Sequence, residues 1–344
     1  MTADDAALRR PMSVEPEALR RLCVAAARRS GADRETAEAL ARSIVLAERR
    51  GRPQVGVTHL LDYLAALEAG AIRGDAEPLT DRRGVVLRAD ARRNIPHVAF
   101  ERLLPELTAE ARRSGVAVLA VREAYTCGEL GHFTSAVAEE GLVALAAANS
   151  PALVALGAAG GAVLGTNPFS LAAPAPEAPV LVDQGIGRVA YVSIREAAQR
   201  GESLPPGWAL DRDGRETSDA GAALEGSLLP DGLKAANLGL VVEILAGLAG
   251  GSWSVDAPPF DGGAESPRVG LFLLALDPEL AGPGFLDRLG RHVARLEREH
   301  GVAVPGRRRA RLDRVELDAA LLADLRRRAG EAEIARRLRD RPAR

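Results

Sequence analysis

Leu164-Gly165-Thr166-Asn167-Pro168-Phe169 sits between two short apolar runs, Leu142-Val-Ala-Leu-Ala-Ala147 and Val180-Leu-Val-Asp183. Apolar runs this short, bounded by Gly, Pro, Asn or Ser, have the length and punctuation of buried strands. Pro168 fixes the backbone of a turn. Thr166 and Asn167 just before it can therefore present short hydrogen-bonding side chains at a pocket edge with little entropy loss, although the same residues also suit a plain strand-to-loop turn. Two further runs, Gly84-Val-Val-Leu-Arg88 and Val116-Ala-Val-Leu-Ala-Val121, precede this stretch, with helical patterns at Ala99–Ser114 and Phe133–Glu140 between them. A helix over Lys234–Leu248, a strand over Val269–Leu276 and a helix over Gly284–Arg298 continue the mixture, so the fold class is α+β.

Working outward, the N-terminal part reads as purely helical. Residues 1–12 are polar and are expected to be disordered. From Ser13, read as a cap, apolar residues recur at helical spacing up to Gly31, and a second helix runs from about Asp33 to Arg50, where Gly51 stops it. A third covers Val57–Ala69 with Leu60, Leu61, Leu64 and Leu67 on one side, which together suggests a small orthogonal bundle over 13–74. The charged tail Val315–Arg339 reads as helix and is expected to pack back on that bundle.

A chain of 344 residues exceeds what one core usually serves, so two interlocked domains are expected. No apolar run approaches the roughly 20 residues of a membrane span. The start, MTADDAALRRP, lacks the apolar stretch of a secretory signal, and a soluble cytoplasmic protein is the expectation. Only Cys23 and Cys127 occur, in a spacing that fits neither a disulfide framework nor a zinc site. The net charge of −2 from intermixed signs argues against nucleic acid or an anionic membrane as partner. Lys234 is the only lysine among 45 basic residues, which marks it for a role that needs a compact ammonium, or else as a leftover surface residue.

No GxGxxG turn follows a strand, and there is no Walker loop, no GxSxG elbow and no His/carboxylate metal spacing. Identification comes instead from short segments in a fixed order: Asn149-Ser-Pro, Leu164-Gly-Thr-Asn-Pro-Phe, Leu181-Val-Asp, Gly207-Trp-Ala-Leu-Asp-Arg-Asp-Gly-Arg, Leu229-Pro-Asp-Gly-Leu-Lys and Val304-Pro-Gly-Arg-Arg. In these the chain resembles the non-Rossmann malate, L-lactate, sulfolactate and ureidoglycolate dehydrogenases. The resemblance implies a homodimer, a helical bundle followed by a non-Rossmann mixed-sheet cofactor domain over 75–310, a helical tail over 311–344, and hydride transfer between NAD(P)H and a 2-oxo acid or cyclic imino acid. It implies cofactor contacts for Thr166, Asn167, Asp183, Gln184, Gly185, Lys234, Gly306, Arg307 and Arg308, with Asp183 also supporting a catalytic imidazole. Where relatives often carry Glu near the adenosine end, Arg307 and Arg308 would welcome a 2′-phosphate, which favours NADPH over NADH; a solvated basic run is the other reading.

The chain departs from the family at its signature Arg-Gly-x-x-Ser-His-Gly. Here Arg50-Gly-Arg-Pro-Gln-Val-Gly56 puts Gln54 and Val55 where Ser and His belong, and an isopropyl group cannot donate a proton. Thr126 stands for a second histidine, Ile186-Gly187 for a Thr-Ser pair and Ser193 for a lysine. General acid catalysis supplies about 10²- to 10⁴-fold, so ordinary keto-acid reduction would suffer without a replacement. His59, four residues after Val55, is the first candidate, as acid or as substrate anchor, the other reading being a plain, partly buried histidine with neither role; His132 and Tyr125 are weaker ones, and His97, His292 and His300 read as structural or solvent-exposed. Three functions follow: a reductase of imino or 2-oxo acids; the same scaffold turned to isomerisation, cyclisation or elimination through Asp183 and His59; or an inactive binding paralogue.

Overall fold

The computed structural model describes residues 11–156, 161–260, 263–307 and 312–331. Two compact units divide the chain: residues up to 75 together with those from 309 onward, and residues 76–308.

The first part of the chain runs β1 (Pro11–Val14), α1 (Pro16–Arg29), α2 (Arg34–Arg49), a single 3₁₀ turn (Pro53–Val55) and α3 (Val57–Ala69). The second unit follows with β2 (Leu79–Arg83), β3 (Val86–Asp90), α4 (Pro96–Ser114), β4 (Val116–Ala124), α5 (Gly131–Glu139), β5 (Val143–Ala148), β6 (Val154–Ala155), β7 (Ala162–Leu164), β8 (Phe169–Ala173) and β9 (Val180–Gln184). It continues through α6 (Tyr191–Arg200), β10 (Ala209–Leu210), β11 (Glu216–Thr217), α7 (Ala220–Leu224), β12 (Ser227–Leu228), α8 (Gly232–Leu248), β13 (Val269–Leu276), α9 (Pro278–Ala281) and α10 (Phe285–His300). The chain then returns to the first unit with β14 (Val315–Asp318) and α11 (Ala319–Ala329).

In the first unit, Leu19, Leu22, Cys23 and Ala26 of α1 and Ala37, Leu40, Ala41 and Ile44 of α2 recur at helical spacing and are buried. The Arg20–Glu38 ion pair ties these helices together. The ends depart from the sequence reading in two places. Pro11 and Met12, expected to be disordered, belong to β1, which pairs antiparallel with β14 from Pro11↔Asp318 to Val14↔Val315. Residues 315–318, expected to be helical, form that partner strand, and the helix begins only at Ala319, where the Asp318 side chain caps it. The expectations for residues 1–10 and 332–339 lie outside the described residues. Ser13 is no helix cap; its hydroxyl accepts from Arg314 Nε at 2.7 Å, and Glu15 occupies the cap position of α1.

The second unit is built on a seven-stranded sheet in the order β2-β3-β4-β13-β5-β8-β9. Among its described pairings only β3 and β4 run parallel, so the sheet is mixed and lacks the successive parallel crossovers of a doubly wound fold. Strand β13 lies in the middle, with Leu271 and Leu273 fully buried among Leu87, Phe100, Leu107, Leu119, Val121 and Phe133. A second sheet, β11-β10-β12-β6-β7, is made of strands only two or three residues long and encloses its own small core of Val154, Leu164, Ile186, Ile194 and Leu228.

Candidate functional site

The Gly165–Asn167 turn, the end of β9 and the start of α8 are stitched to one another by backbone. Ile186 N donates to Thr166 O at 2.9 Å, and Asp231 N donates to Ile186 O at 2.9 Å. A Cβ on Gly185 would come within 3.0 Å of Thr166 O, so the two loops meet at a glycine contact. The Thr166 backbone N–H is itself held by Ser150 Oγ at 3.0 Å. Thr166, Gln184, Gly185 and Lys234 are thus brought to one region. Lys234 is exposed on the third residue of α8, where the unsatisfied N–H groups and positive end of the helix dipole make a cation unfavourable for stability.

Asn167 belongs to this turn but does not present its amide at an edge. Its side chain is 0 % exposed, and Nδ2 donates inward to Gly239 O at 3.0 Å and to Glu243 Oε2 at 2.8 Å, both on α8. Glu243 in turn accepts from Ser254 N at 2.6 Å and Ser254 Oγ at 2.7 Å. The backbone at Asn167 is left-handed, with φ of 37°, a conformation asparagine tolerates better than most residues. Gly165 is required beside it, since a Cβ there would lie 2.6 Å from Asn167 Oδ1 and 2.3 Å from Ser150 Oγ. This asparagine locks the turn to α8.

Asp183, near the end of β9, is partly buried, and its Oδ2 accepts from Gly131 N at 2.9 Å. Gly131 opens α5, so the carboxylate sits at the helix's positive end, a stabilising position for it. Thr134 Oγ1 and Ser170 Oγ, 2.7 Å apart, clamp the same helix onto β8. His132, the next residue after Gly131, is buried, with its ring 5.2 Å from that of His97 and packed edge-on against Phe133. His97 and Tyr125 are buried as well, so the Tyr125 hydroxyl is not offered to solvent. Glu129, a buried acid in the loop leading to α5, escaped sequence reading because nothing in its neighbours marks it. The Cys127 thiol in that loop is pushed up to about 12 by burial.

The segment ending in Gly306 and Arg307 lies at the other end of β9. Pro305 O accepts from Leu181 N at 3.0 Å, and Gly306, with φ of 84°, leaves no room for a Cβ, which would be 2.6 Å from Leu181 N. The Arg307 side chain is only 9 % exposed. Its guanidinium donates to Glu297 Oε1 at 2.9 Å, to Pro176 O at 2.6 Å and to Ala178 O at 2.7 Å. The fork is therefore committed inside the protein and does not point outward as a phosphate receptor. Arg308 lies outside the described residues.

In the first unit, Gln54 and Val55 sit, partly buried, in the 3₁₀ turn before α3. Val55 is therefore not on the helix that carries His59, and the helical spacing expected between them does not apply. The turn rests on Glu48, whose Oε1 accepts from Val57 N at 2.7 Å; a Cβ on Gly56 would strike that same oxygen. Burial pushes the Glu48 carboxyl up from its ordinary value. The His59 ring packs edge-on against Tyr63 at 4.8 Å, and its Nδ1 lies 3.2 Å from Asp62 Oδ2.

The sequence pattern of the malate/L-lactate dehydrogenase family matches residues 14–324. The chain belongs to that family. It is 35 % identical over 314 residues, 89 % of this chain and 94 % of the relative, to a (2R)-3-sulfolactate dehydrogenase (NADP(+)) of Chromohalobacter salexigens. It is 36 % identical over 299 residues, 85 % of this chain and 90 % of the relative, to a Delta(1)-pyrroline-2-carboxylate/Delta(1)-piperideine-2-carboxylate reductase of Pseudomonas aeruginosa. Among solved structures, delta1-piperideine-2-carboxylate reductase from Pseudomonas syringae pvar. tomato superposes with a TM-score of 0.83 at 31 % identity, covering 92 % of this chain and 99 % of that one.

Within this member of the malate/L-lactate dehydrogenase family, Asp62, Glu48, Ser150 and Glu243 carry polar contacts that sequence reading passed over. Asp62 alone had a signal, its i, i+3 spacing from His59. The partners of Ser150 and Glu243 come from distant segments, and Glu48 reads in sequence as one more charge near a helix end.

Proposed function

We propose that this family member is an NADPH-dependent reductase whose preferred substrate is a small cyclic imino acid, with 2-oxo acids as poorer substrates. The reading is carried by Val55, an aliphatic side chain in the turn that resembles the family's proton-donating signature, in a chain whose relatives include several Δ1-pyrroline-2-carboxylate reductases at 33–36 % identity. An imine nitrogen is basic enough to arrive protonated, so the missing acid matters least there; a carbonyl oxygen must receive its proton as the carbon is reduced.

The second unit fits a dinucleotide's anionic part. An exposed ammonium stands where a helix end already favours negative charge, beside a glycine contact that a side chain would fill. Lys234, Thr166 and Gln184–Gly185 are the residues that would hold it. The bound cofactor supplies the hydride. Asp183 keeps α5 and its first turn in place, and His59 carries a proton or anchors the substrate carboxylate. Arg307 takes no part in the preference for NADPH, because its guanidinium is already committed.

A second copy of the chain is part of this reading. Helix α8 presents Leu233 77%, Ile244 63% and Leu248 72% exposed, together with Leu240 and Val241. Such a stripe at helical spacing is one that a soluble monomer seldom leaves open. The homodimer interface is assigned to that stripe.

Purified protein mixed with NADPH and either Δ1-pyrroline-2-carboxylate, Δ1-piperideine-2-carboxylate, 3-sulfopyruvate or pyruvate is followed by loss of nicotinamide absorbance. The reading expects kcat/KM for the imino acids to exceed that for the keto acids by about tenfold or more. A keto-acid preference, or no binding of either dinucleotide at millimolar concentration, refutes it.

A further inference from the structure

His59 and Asp62 form a pair one turn apart on α3. Their side chains are partly exposed, at 18% and 32%, and Nδ1 is 3.2 Å from Oδ2. An ionised carboxylate can only accept a hydrogen bond, so at this contact Nδ1 must carry the hydrogen. The imidazole is fixed on a second side by the Tyr63 ring, which packs edge-on at 4.8 Å and is itself almost fully buried. With one nitrogen engaged by an acid and the ring held by an immobile aromatic, Nε2 is left as the atom that gains and loses a proton. This division of labour, an acid fixing one nitrogen so that the other works, is how imidazoles are oriented in hydrolytic triads and metal sites.

We infer that Asp62 is the positioning residue of His59: it holds Nδ1–H and thereby makes Nε2 the single proton-exchanging atom offered to substrate. The inference rests on the reading of the protein as a reductase in which His59 carries the proton. In the reaction the C=N or C=O carbon accepts the hydride. The substrate heteroatom takes the proton of Nε2–H, unless the imine arrives already protonated. The imidazolium becomes the neutral Nδ1–H form and is reprotonated at Nε2 from water. Charge balances, since one hydride and one proton leave their donors and one reduced amine or alcohol forms.

The test is made on the full-length protein labelled with ¹⁵N-histidine, with two variants of Asp62 and one of His59. Asp62→Ala removes the acceptor at a partly exposed helical position where alanine is well tolerated. Asp62→Asn keeps an oxygen that can still accept from Nδ1–H but loses the charge. Long-range ¹H–¹⁵N correlation spectra, with His59→Gln used to assign the signal, are expected to show the neutral Nδ1–H tautomer for His59 in the wild type and in Asp62→Asn. Asp62→Ala is expected to move it to the Nε2–H form that free imidazole side chains prefer. Turnover of the best keto-acid substrate, whose carbonyl oxygen must take the proton of Nε2–H, should fall about 10- to 100-fold in kcat for Asp62→Ala, with KM changed less than about threefold, and recover in part with Asp62→Asn, while turnover of an imino acid that arrives protonated changes less. A tautomer that does not change in Asp62→Ala overturns the inference whether or not turnover is seen. So does a changed tautomer with unchanged kcat. Absence of wild-type turnover on every imino and keto acid refutes the reductase reading instead, and is told apart because the tautomer measurement needs no substrate.

Discussion

Replacing Asn167 separates two roles that its sequence context allowed. In the folded chain its amide donates to the Gly239 carbonyl and to the Glu243 carboxylate, from a fully buried position and a left-handed backbone. Asn167→Ala removes a neutral hydrogen bond worth about 1 kcal/mol and a charge-assisted one worth about 1.5–3 kcal/mol. It also places an alanine in the left-handed region, adding about 1–2 kcal/mol. The sum, about 3.5–6 kcal/mol, is a large part of the roughly 5–15 kcal/mol that typically holds a protein together. Asn167→Asp sharpens the test. It keeps the shape and the tolerance of positive φ but sets a second carboxylate against Glu243, and two such charges about 4 Å apart repel by about 4 kcal/mol at an effective dielectric of about 20. Its penalty should therefore shrink on acidification, as the two acids come to share a proton. The assay is urea denaturation followed by tryptophan fluorescence, to which Trp253 contributes from its place against Gly247, one residue from Ser254. A loss below about 1 kcal/mol for Asn167→Ala, accompanied by a tenfold or greater loss of NADPH affinity, would refute this reasoning and return the residue to the cofactor site.

Four other outcomes follow from the same structure. Burial raises the Glu48 carboxyl, so the folded state binds its proton more tightly than the unfolded state; the contribution is full below the ordinary value of 4.5 and is lost as pH rises through the folded value. Glu48→Gln keeps an acceptor for Val57 N, and its Tm should exceed the wild-type Tm by more at about pH 8 than at about pH 5; an equal difference at both would contradict the assignment. Gln54→Ser combined with Val55→His should raise keto-acid turnover by about 10²-fold or more, read as NADPH oxidation, provided the fold and cofactor binding are kept. Ile244→Glu or Leu248→Glu, each placing a charge in the exposed stripe of α8, should convert a dimer to monomer in analytical ultracentrifugation; an unchanged sedimentation coefficient would move the interface elsewhere. Arg307→Ala should lower stability by about 2–4 kcal/mol in the same denaturation assay, since it strands Glu297 and two carbonyls, while the ratio of NADPH to NADH affinity stays within about threefold.

What the sequence determined by itself was whatever repeats locally. The spacing of Leu19, Leu22, Cys23 and Ala26, of Leu60, Leu64 and Leu67, and the apolar run Val269–Leu276 each announce an element, because helix and strand impose their period on neighbouring residues. The ordered landmarks from Asn149 to Arg308 were likewise enough to indicate the family. Strands of two residues, such as β6, β10 and β12, have no period to show and became visible only as rungs of a folded sheet. Neither β1 nor β14 could be read, since each exists by pairing with the other across the length of the chain. The direction of a polar side chain was equally out of reach. Asn167 finds its partners 72 and 76 residues away and Arg307 finds carbonyls 131 and 129 residues away, so residues that look in sequence like ligand contacts are drawn into the interior. A buried donor must be matched wherever the fold places an acceptor, and that placement is a property of the tertiary structure alone.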